Sequence, residues 1–518
     1  QGQLSVGIGE NGFLRGLTAA DTALGQGQLL GAIEAQRYDG PWTDIDEDLD
    51  KINALLRWSG EGVNSSYGVT AMFYDAEWNS ADQLPQRAVR NGLVDALGSI
   101  DPTLGGSTRR SSLSGMHAWE VGRHRNEINA WIIDYDFELW SNFTYLLDDP
   151  VNGDQFEQVD SRTIYGGDWS LRWLGAIGRG HLHHTLGAQF RYDDIGKVGL
   201  YRTRERERLG LTRLDSVDET SVGLYYEMEW RISEKWRSVL GLRGDYYWFD
   251  VKSNLPENSG DESDGIVSPK GSLIYTIDDV TEAYASGGLG FHSNDARGAT
   301  ISVDPVTGES VEPVDPLVRS TGAEIGFRTI WLDNWNASFA AWYLELDSEL
   351  LFVGDAGNTE ASGASRRWGI EFNNVWTLSD VWSFEADFAW TDARFTEAPP
   401  GDDNVPGALE TVITGAVNAT WSNGWFGSLR LRYFGPAPLV EDGSVESDGS
   451  SMANLLLGWS NPRWRVQLEV LNLFDSDDHD VSYYYASRLP GEPLEGIEDI
   501  HYHIFEPRQF RLRASWLF

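Results

Sequence analysis

The side chains able to do chemistry in this sequence are histidines, carboxylates and arginines, because it has no cysteine and only four methionines. His181, His183 and His184 form an HLHH run whose imidazoles could ligate a metal. The run lies beside a short turn, and His183 and His184 must point to opposite faces of a strand, so a structural role is expected. His501 and His503 alternate on one face of IHYHIFEPR and could share a ligand. Loop architecture is the plainer reading there too. In GLGFHSNDARG, His292, Asn294, Asp295 and Arg297 sit where a strand gives way to a long polar segment. This arrangement suits a substrate-contacting rim, and it also suits a loop stem held by Asx-type and arginine hydrogen bonds. Its glycines are no dinucleotide fingerprint, because no βαβ unit surrounds them.

Carboxylates recur in clusters: Asp44, Asp46, Glu47, Asp48 and Asp50; Glu257, Asp261, Glu262 and Asp264; Glu441, Asp442, Glu446 and Asp448; Asp475, Asp477, Asp478 and Asp480. Clustered oxygens can hold calcium or magnesium. None of these keeps the EF-hand spacing, so the expectation is solvated loop surface, with a loop-bound divalent cation as the one cofactor to consider. The near absence of Met and Cys disfavours a soft-metal site. No two carboxylates are fixed across a cleft for acid–base work. No nucleophile elbow, zinc spacing or phosphate loop occurs. The chain is not expected to be an enzyme.

The elements that must position these residues are clearest in the last stretch, 463–518. Phe510, Leu512, Ala514, Trp516 and Phe518 fall on one face, and Gln509, Arg511, Arg513 and Ser515 on the other. Trp464, Val466, Leu468 and Val470 alternate in the same way with Arg465, Gln467 and Glu469. Strict alternation marks a strand with one apolar and one polar face. An apolar stripe without polar cover, ending on an aromatic, suits lipid with the ring at headgroup level. The expected fold is all-β: a transmembrane antiparallel β-barrel. No run of eighteen apolar residues is present to form a membrane helix. A mean hydropathy of −0.38 does not count against a barrel, whose strands put only every second residue in lipid. The net charge of −40 disfavours nucleic acid as a partner.

Along the chain, short turn-like connections alternate with long polar ones. The short set includes ALGQG (23–27), GRHRN (122–126), IGRGH (177–181), LDNW (332–335) and SNPRW (460–464). The long set includes roughly 38–51, 78–110, 143–159, 194–220, 253–266, 291–317 and 475–508. Short periplasmic turns and long external loops give this rhythm, whereas a propeller or solenoid would show a fixed repeat. The count between connections is about 21 strands, with residues 2–22 as one strand carrying a local irregularity at Glu10, Asn11 and Gly12, since a glycine inside a strand often marks a bulge; those three residues as a turn would make the count 22. Twenty-one strands with Phe518 periplasmic put Gln1 outside. Since single-chain bacterial barrels have even strand numbers, a further strand is expected upstream, filling a gap between 2–22 and 508–518. The chain starts with Gln and shows no signal peptide, so it is expected to be processed or truncated at its start.

Six stretches carry a family resemblance over nearly the whole chain: YDGPW (38–42), WNSADQLPQRAV (78–89), DPTLGGSTRRSSLSG (101–115), GLGFHSNDARG (288–298), NLFD (472–475) and the run from EPRQF to Phe518. Together they resemble the barrel of TonB-dependent outer-membrane receptors. The resemblance implies a 22-stranded barrel in the outer membrane of a Gram-negative bacterium, with residues 1–518 as that barrel. It also implies an N-terminal plug, absent from this sequence and supplied upstream or as a separate chain, and a TonB energy-coupling complex acting through it. The expected partners are outer-membrane lipid, that plug, that complex and a small-molecule substrate of unknown identity. The expected function is energised uptake of a scarce, bulky nutrient or metal chelate. The alternative is a plugless barrel serving as a surface scaffold, partner anchor or porin-like pore. Within such a barrel Arg430, Arg432, Arg465, Arg511 and Arg513 line the lumen. They must be paired or hydrated there, by acids on neighbouring strands or by contact with a plug.

Overall fold

Lipid on one side and a polar lumen on the other force a period of two on every strand, and the chain meets this with one antiparallel sheet of 22 strands closed into a barrel. The computed structural model describes residues 2–177, 180–332, 334–353 and 358–518. In the last barrel strand, Gln509–Leu517, the side chains of Phe510, Leu512 and Trp516 face out while Gln509 and Ser515 are buried inward. A girdle of aromatic contacts follows the short-turn rim on the outer face. It includes Trp58–Tyr67, Trp236–Tyr275, Trp331–Trp335, Trp382–Trp421 and Trp516–Phe518. Amphipathic rings belong at that interface.

The strand count differs from the expected 21, because residues 2–22 form two strands, Gly2–Gly9 and Leu14–Leu24. Asn11 and Gly12 both adopt positive φ (52° and 70°), the geometry of a tight Asn-Gly hairpin. A Cβ on Gly12 would lie 2.0 Å from the Asp39 carboxylate. This outer connection is as short as an inner turn, and the bulge expected at Glu10, Asn11 and Gly12 is a hairpin instead. The predicted gap is overturned as well. Gly2–Gly9 pairs along its length with Gln509–Leu517, and Gly2 and Phe518 exchange backbone hydrogen bonds of 2.6 and 2.9 Å. Gly2 and Phe518 therefore both lie at the short-turn rim; Gln1, expected on the outside, lies outside the described residues, and its neighbour Gly2 is at the rim opposite to the expected one.

Two expected loops are also largely strand. Residues 194–220 continue Gly180–Arg204 and Glu207–Arg231 through a two-residue turn at Glu205–Arg206. Residues 260–266 open the strand Gly260–Asp278. A spanning strand needs about 9–11 residues, so these 25-residue strands project well beyond the membrane. Above the lipid a strand needs no apolar outer face, and its alternation disappears while its ladder continues.

The outer connections fold on one another. Segment 472–508 carries strands His479–Ser487 and Ile497–Ile504, and the latter pairs with Leu84–Pro85. Arg87, buried in the adjoining helical turn, donates to Glu492 and Asp499 and to the carbonyl of Ser487. Segment 294–316 turns inward instead. Its helical turn Ala296–Ala299 packs Ala296 against Ile195, Val217, Phe249 and Val251 on the lumen wall.

Candidate functional site

The inward-folded segment begins at a staple. Among the described residues nothing donates to the Asn294 side-chain carbonyl oxygen, but its amide donates to the carbonyl of Asp315 at 2.6 Å and its backbone N–H to that of Pro316 at 2.9 Å. The two ends of a long loop are thereby held together. Asp295 caps the helical turn through the backbone N–H of Arg297 at 2.8 Å, and the two side chains pair at 2.6 Å. Burial works to raise the Asp295 pKa, but the Arg297 guanidinium outweighs it and brings the group down to about 2. Beneath this turn Arg213, which is almost wholly buried, bonds Asp215 at 2.5 Å and the carbonyl of Arg297 at 3.2 Å.

These groups border a cavity of about 570 Å³ at the outer end of the lumen. His292, Asn294, Asp295 and Arg297 all line it, opposite Phe137, Asp160, Leu346 and Arg367. The four residues singled out in the sequence are thus brought to one space by the strand Thr281–Ser293 and the loop that follows it.

The arginines on the wall divide. Arg513 has the acid expected on a neighbouring strand, Glu469 at 3.3 Å. Three others rest on aromatic rings: Arg432 lies 4.5 Å from Phe434, Arg465 4.6 Å from Phe426, and Arg511 4.2 Å from Phe13 and 5.2 Å from Tyr38. A guanidinium over a ring face is held by the quadrupole without an acid. Arg430 is exposed on the same wall, opposite Asn454 and Ala416.

The histidine runs sit elsewhere. His184 belongs to the girdle, stacked on Trp173 and bonded to the Tyr226 hydroxyl at 2.7 Å, while His183 takes the opposite face. His501 is fully buried in the outer sheet, between Ser487 and the carbonyl of Asp499, and burial lowers its pKa to about 4. His503 pairs instead with Asp480 at 2.9 Å. The two do not converge. Among the described residues no group of three or more His, Asp or Glu side chains gathers around a point where a metal could sit.

One pattern escaped the sequence reading. Arg191–Asp193, Arg213–Asp215, Arg243–Asp245, Asp160–Arg162 and Asp392–Arg394 are ion pairs two residues apart. A strand places i and i+2 on one face, so each R-x-D or D-x-R was a legible signal of a wall charge that neutralises itself.

Comparison with known proteins agrees with this architecture. The family described as TonB dependent receptor-like, beta-barrel, matches residues 37–473. The metal-pseudopaline receptor CntO of Pseudomonas aeruginosa is 23% identical over 303 residues, covering 54% of this chain and 40% of that receptor's length. Among solved structures, the ferric-catecholate import receptor Fiu of E. coli superposes with a TM-score of 0.79 at 14% identity, covering 100% of this chain and 81% of that one. The ferric yersiniabactin uptake receptor FyuA of Yersinia pestis gives 0.77 at 14%, covering 100% and 80%. At such identities the likeness to solved structures establishes the fold.

Proposed function

The chain belongs to the TonB-dependent receptor β-barrels, and from that premise we propose that it is an outer-membrane receptor for energised uptake of a scarce, bulky nutrient or metal chelate. Its relatives are transport receptors, not enzymes. The observation that carries the reading is the cavity under the inward-folded segment, where His292, Asn294, Asp295 and Arg297 meet. A space of that size suits a small molecule. It lies on the external side, where a substrate arrives.

The rest of the proposal concerns coupling. A 22-stranded transporter barrel holds a plug, and the wall bearing Arg430, Arg432, Arg465, Arg511 and Arg513 offers it a polar surface. The plug, supplied upstream or as a separate chain, would take up the TonB complex on the periplasmic side. With the seam closed by the chain's own strands, this part rests on the wall and the family, not on a missing strand. The closed seam favours a second reading, a plugless pore or scaffold.

Deletion of the gene, followed by uptake measurements with labelled metal chelates under metal limitation, tests the proposal. Loss of energy-dependent uptake, restored by the wild-type gene, supports it. Unchanged uptake together with pore-like, energy-independent leakage of small solutes through the purified protein in liposomes would favour the second reading.

A further inference from the structure

Charge is distributed unevenly along this chain. Forty of its 80 Asp and Glu residues, but only six of its 40 Lys and Arg residues, fall in the eleven outer connections between barrel strands. The strands and inner turns are close to balanced. Nearly the whole net charge of −40 therefore surrounds the external mouth. A one-signed rim over a low-dielectric wall focuses its field into the opening and changes the local concentration of charged solutes.

The cavity beneath has the matching chemistry. Recognition of a carboxylate or phosphate calls for a guanidinium with a free fork. Each arginine on this lining already holds an acid: Arg213 with Asp215 at 2.5 Å, Arg297 with Asp295 at 2.6 Å, and Arg367 with Glu349 at 2.6 Å. The lining also presents an acceptor without a partner. The Asn294 side-chain oxygen is buried and makes no hydrogen bond among the described residues, while its amide nitrogen is fixed on Asp315. One oxygen of the neighbouring Asp215 is likewise unpartnered among the described residues, and the one buried donor of the lining without a partner there is the Arg367 Nε. Asn294 is 5% exposed, so its oxygen is desolvated and available to an N–H group.

We infer that this receptor selects a chelate of net positive charge carrying an ammonium or amide N–H donor, and that it discriminates against polyanionic chelates. The acidic mouth draws the cation in, the acid-paired arginines leave an anion little beyond the Arg367 Nε, and the Asn294 oxygen receives the donor. This rests on the uptake reading given above.

Two measurements on the full protein in cells test it. The first compares three ferric chelates of similar size as competitors for uptake at low ionic strength. They are a linear tris-hydroxamate with a free ammonium, a neutral cyclic tris-hydroxamate and a trianionic tris-catecholate. The cationic chelate should be preferred over the trianion by about tenfold or more, with the gap closing as salt is raised. The second needs no substrate. The chain has no cysteine, so Val306→Cys in the exposed part of segment 294–316 takes a single neutral fluorophore at the mouth. With each quenching constant taken relative to that of the same fluorophore free in solution, caesium should quench it better than iodide, and high salt should remove the difference. Preference for the trianion, or iodide quenching equal to that of caesium at low salt, overturns the inference. Caesium enrichment with no chelate taken up would leave the charge selectivity standing and defeat the uptake reading instead.

Discussion

The guanidinium of Arg206 lies 5.0 Å from the centre of the Trp140 ring, clamping the tip of the tallest hairpin onto the loops beside it. Its turn puts Glu205 and Arg206 at φ of 51° and 66°, a left-handed geometry costing roughly 1–2 kcal/mol per L-residue. Against that, Arg206 donates to the carbonyls of Thr103 and Leu104 and to Asn79, each at 2.7 Å, and its backbone N–H to Gln155 at 2.8 Å. Charged hydrogen bonds are worth about 1.5–3 kcal/mol each, so anchoring outweighs strain. Arg206→Gly, which relieves the strain and removes the anchors, should speed protease cleavage within 80–104. A variant more resistant than wild type would refute the clamp.

Lipid exposure at the last strand makes a second prediction. Ala514 is exposed on the outer face between Leu512 and Trp516, while Arg513 turns inward to Glu469. Ala514→Arg should lower stability by about 2–4 kcal/mol if residue 514 lies near the midplane. Arg513→Ala removes a partly exposed pair and should cost less than about 1 kcal/mol. Urea titration of the barrel, followed by its heat-modifiable migration on gels, ranks the two. The reverse order would shift the register by one residue.

Docking of the inward segment should be insensitive to pH over the neutral range. With Asp295 held down to about 2 by Arg297, despite burial, its contribution is complete above the ordinary carboxylate range and is lost only as pH falls toward 2. Hydrogen-exchange protection across 294–316, corrected for the intrinsic rate at each pH, should therefore be flat from about pH 4 to 8. Asp295→Asn, which breaks the pair and weakens the cap, should raise exchange throughout that range.

Glu47 gives the opposite sign. Burial first, and then the nearby Glu506 carboxylate, push its pKa up to about 7, with Trp42, Arg511 and His503 pulling the other way. A raised acid favours the folded arrangement while protonated, and this advantage is lost as pH rises through 7. After correction for the intrinsic exchange rate at each pH, segment 39–48 should be less protected at pH 8 than at pH 5, and Glu47→Gln should remove the difference. An unchanged pH profile in that variant would assign the effect to another group.

What could be read from the sequence follows from which forces act locally. Leu512, Ala514 and Trp516 declared the barrel because lipid imposes its pattern residue by residue. Asn11-Gly12 was readable as a hairpin signal, but a glycine inside a strand equally marks a bulge, and one long bulged strand is the reading the structure overturns. The stretch 194–220 lost its alternation because its outer face meets water instead of lipid while its inner face packs on the inward-folded segment, although its hydrogen-bond ladder runs on. The site was half visible. The order His292, Asn294, Asp295, Arg297 marked a strand exit, and R-x-D pairs such as Arg213–Asp215 could have been read from their spacing. The packing of Ala296 on Phe249 and the pairing of Tyr502 with Leu84 join distant segments, and no local pattern announces them.

The seam bears on how the molecule is made. Ser5 and Ser515 meet across it at a sequence separation of 510, whereas every other pair of neighbouring barrel strands is joined directly by a single connection. Closing a flexible loop of that length costs on the order of 5–6 kcal/mol in chain entropy, unless the intervening hairpins have already ordered it. Hairpins can zip successively from their own turns, but the two edges they leave remain sticky until they find each other. Joining these edges is thus the natural final act of biogenesis. A half-built sheet must be shielded until then, and the same junction is where a lateral opening would begin.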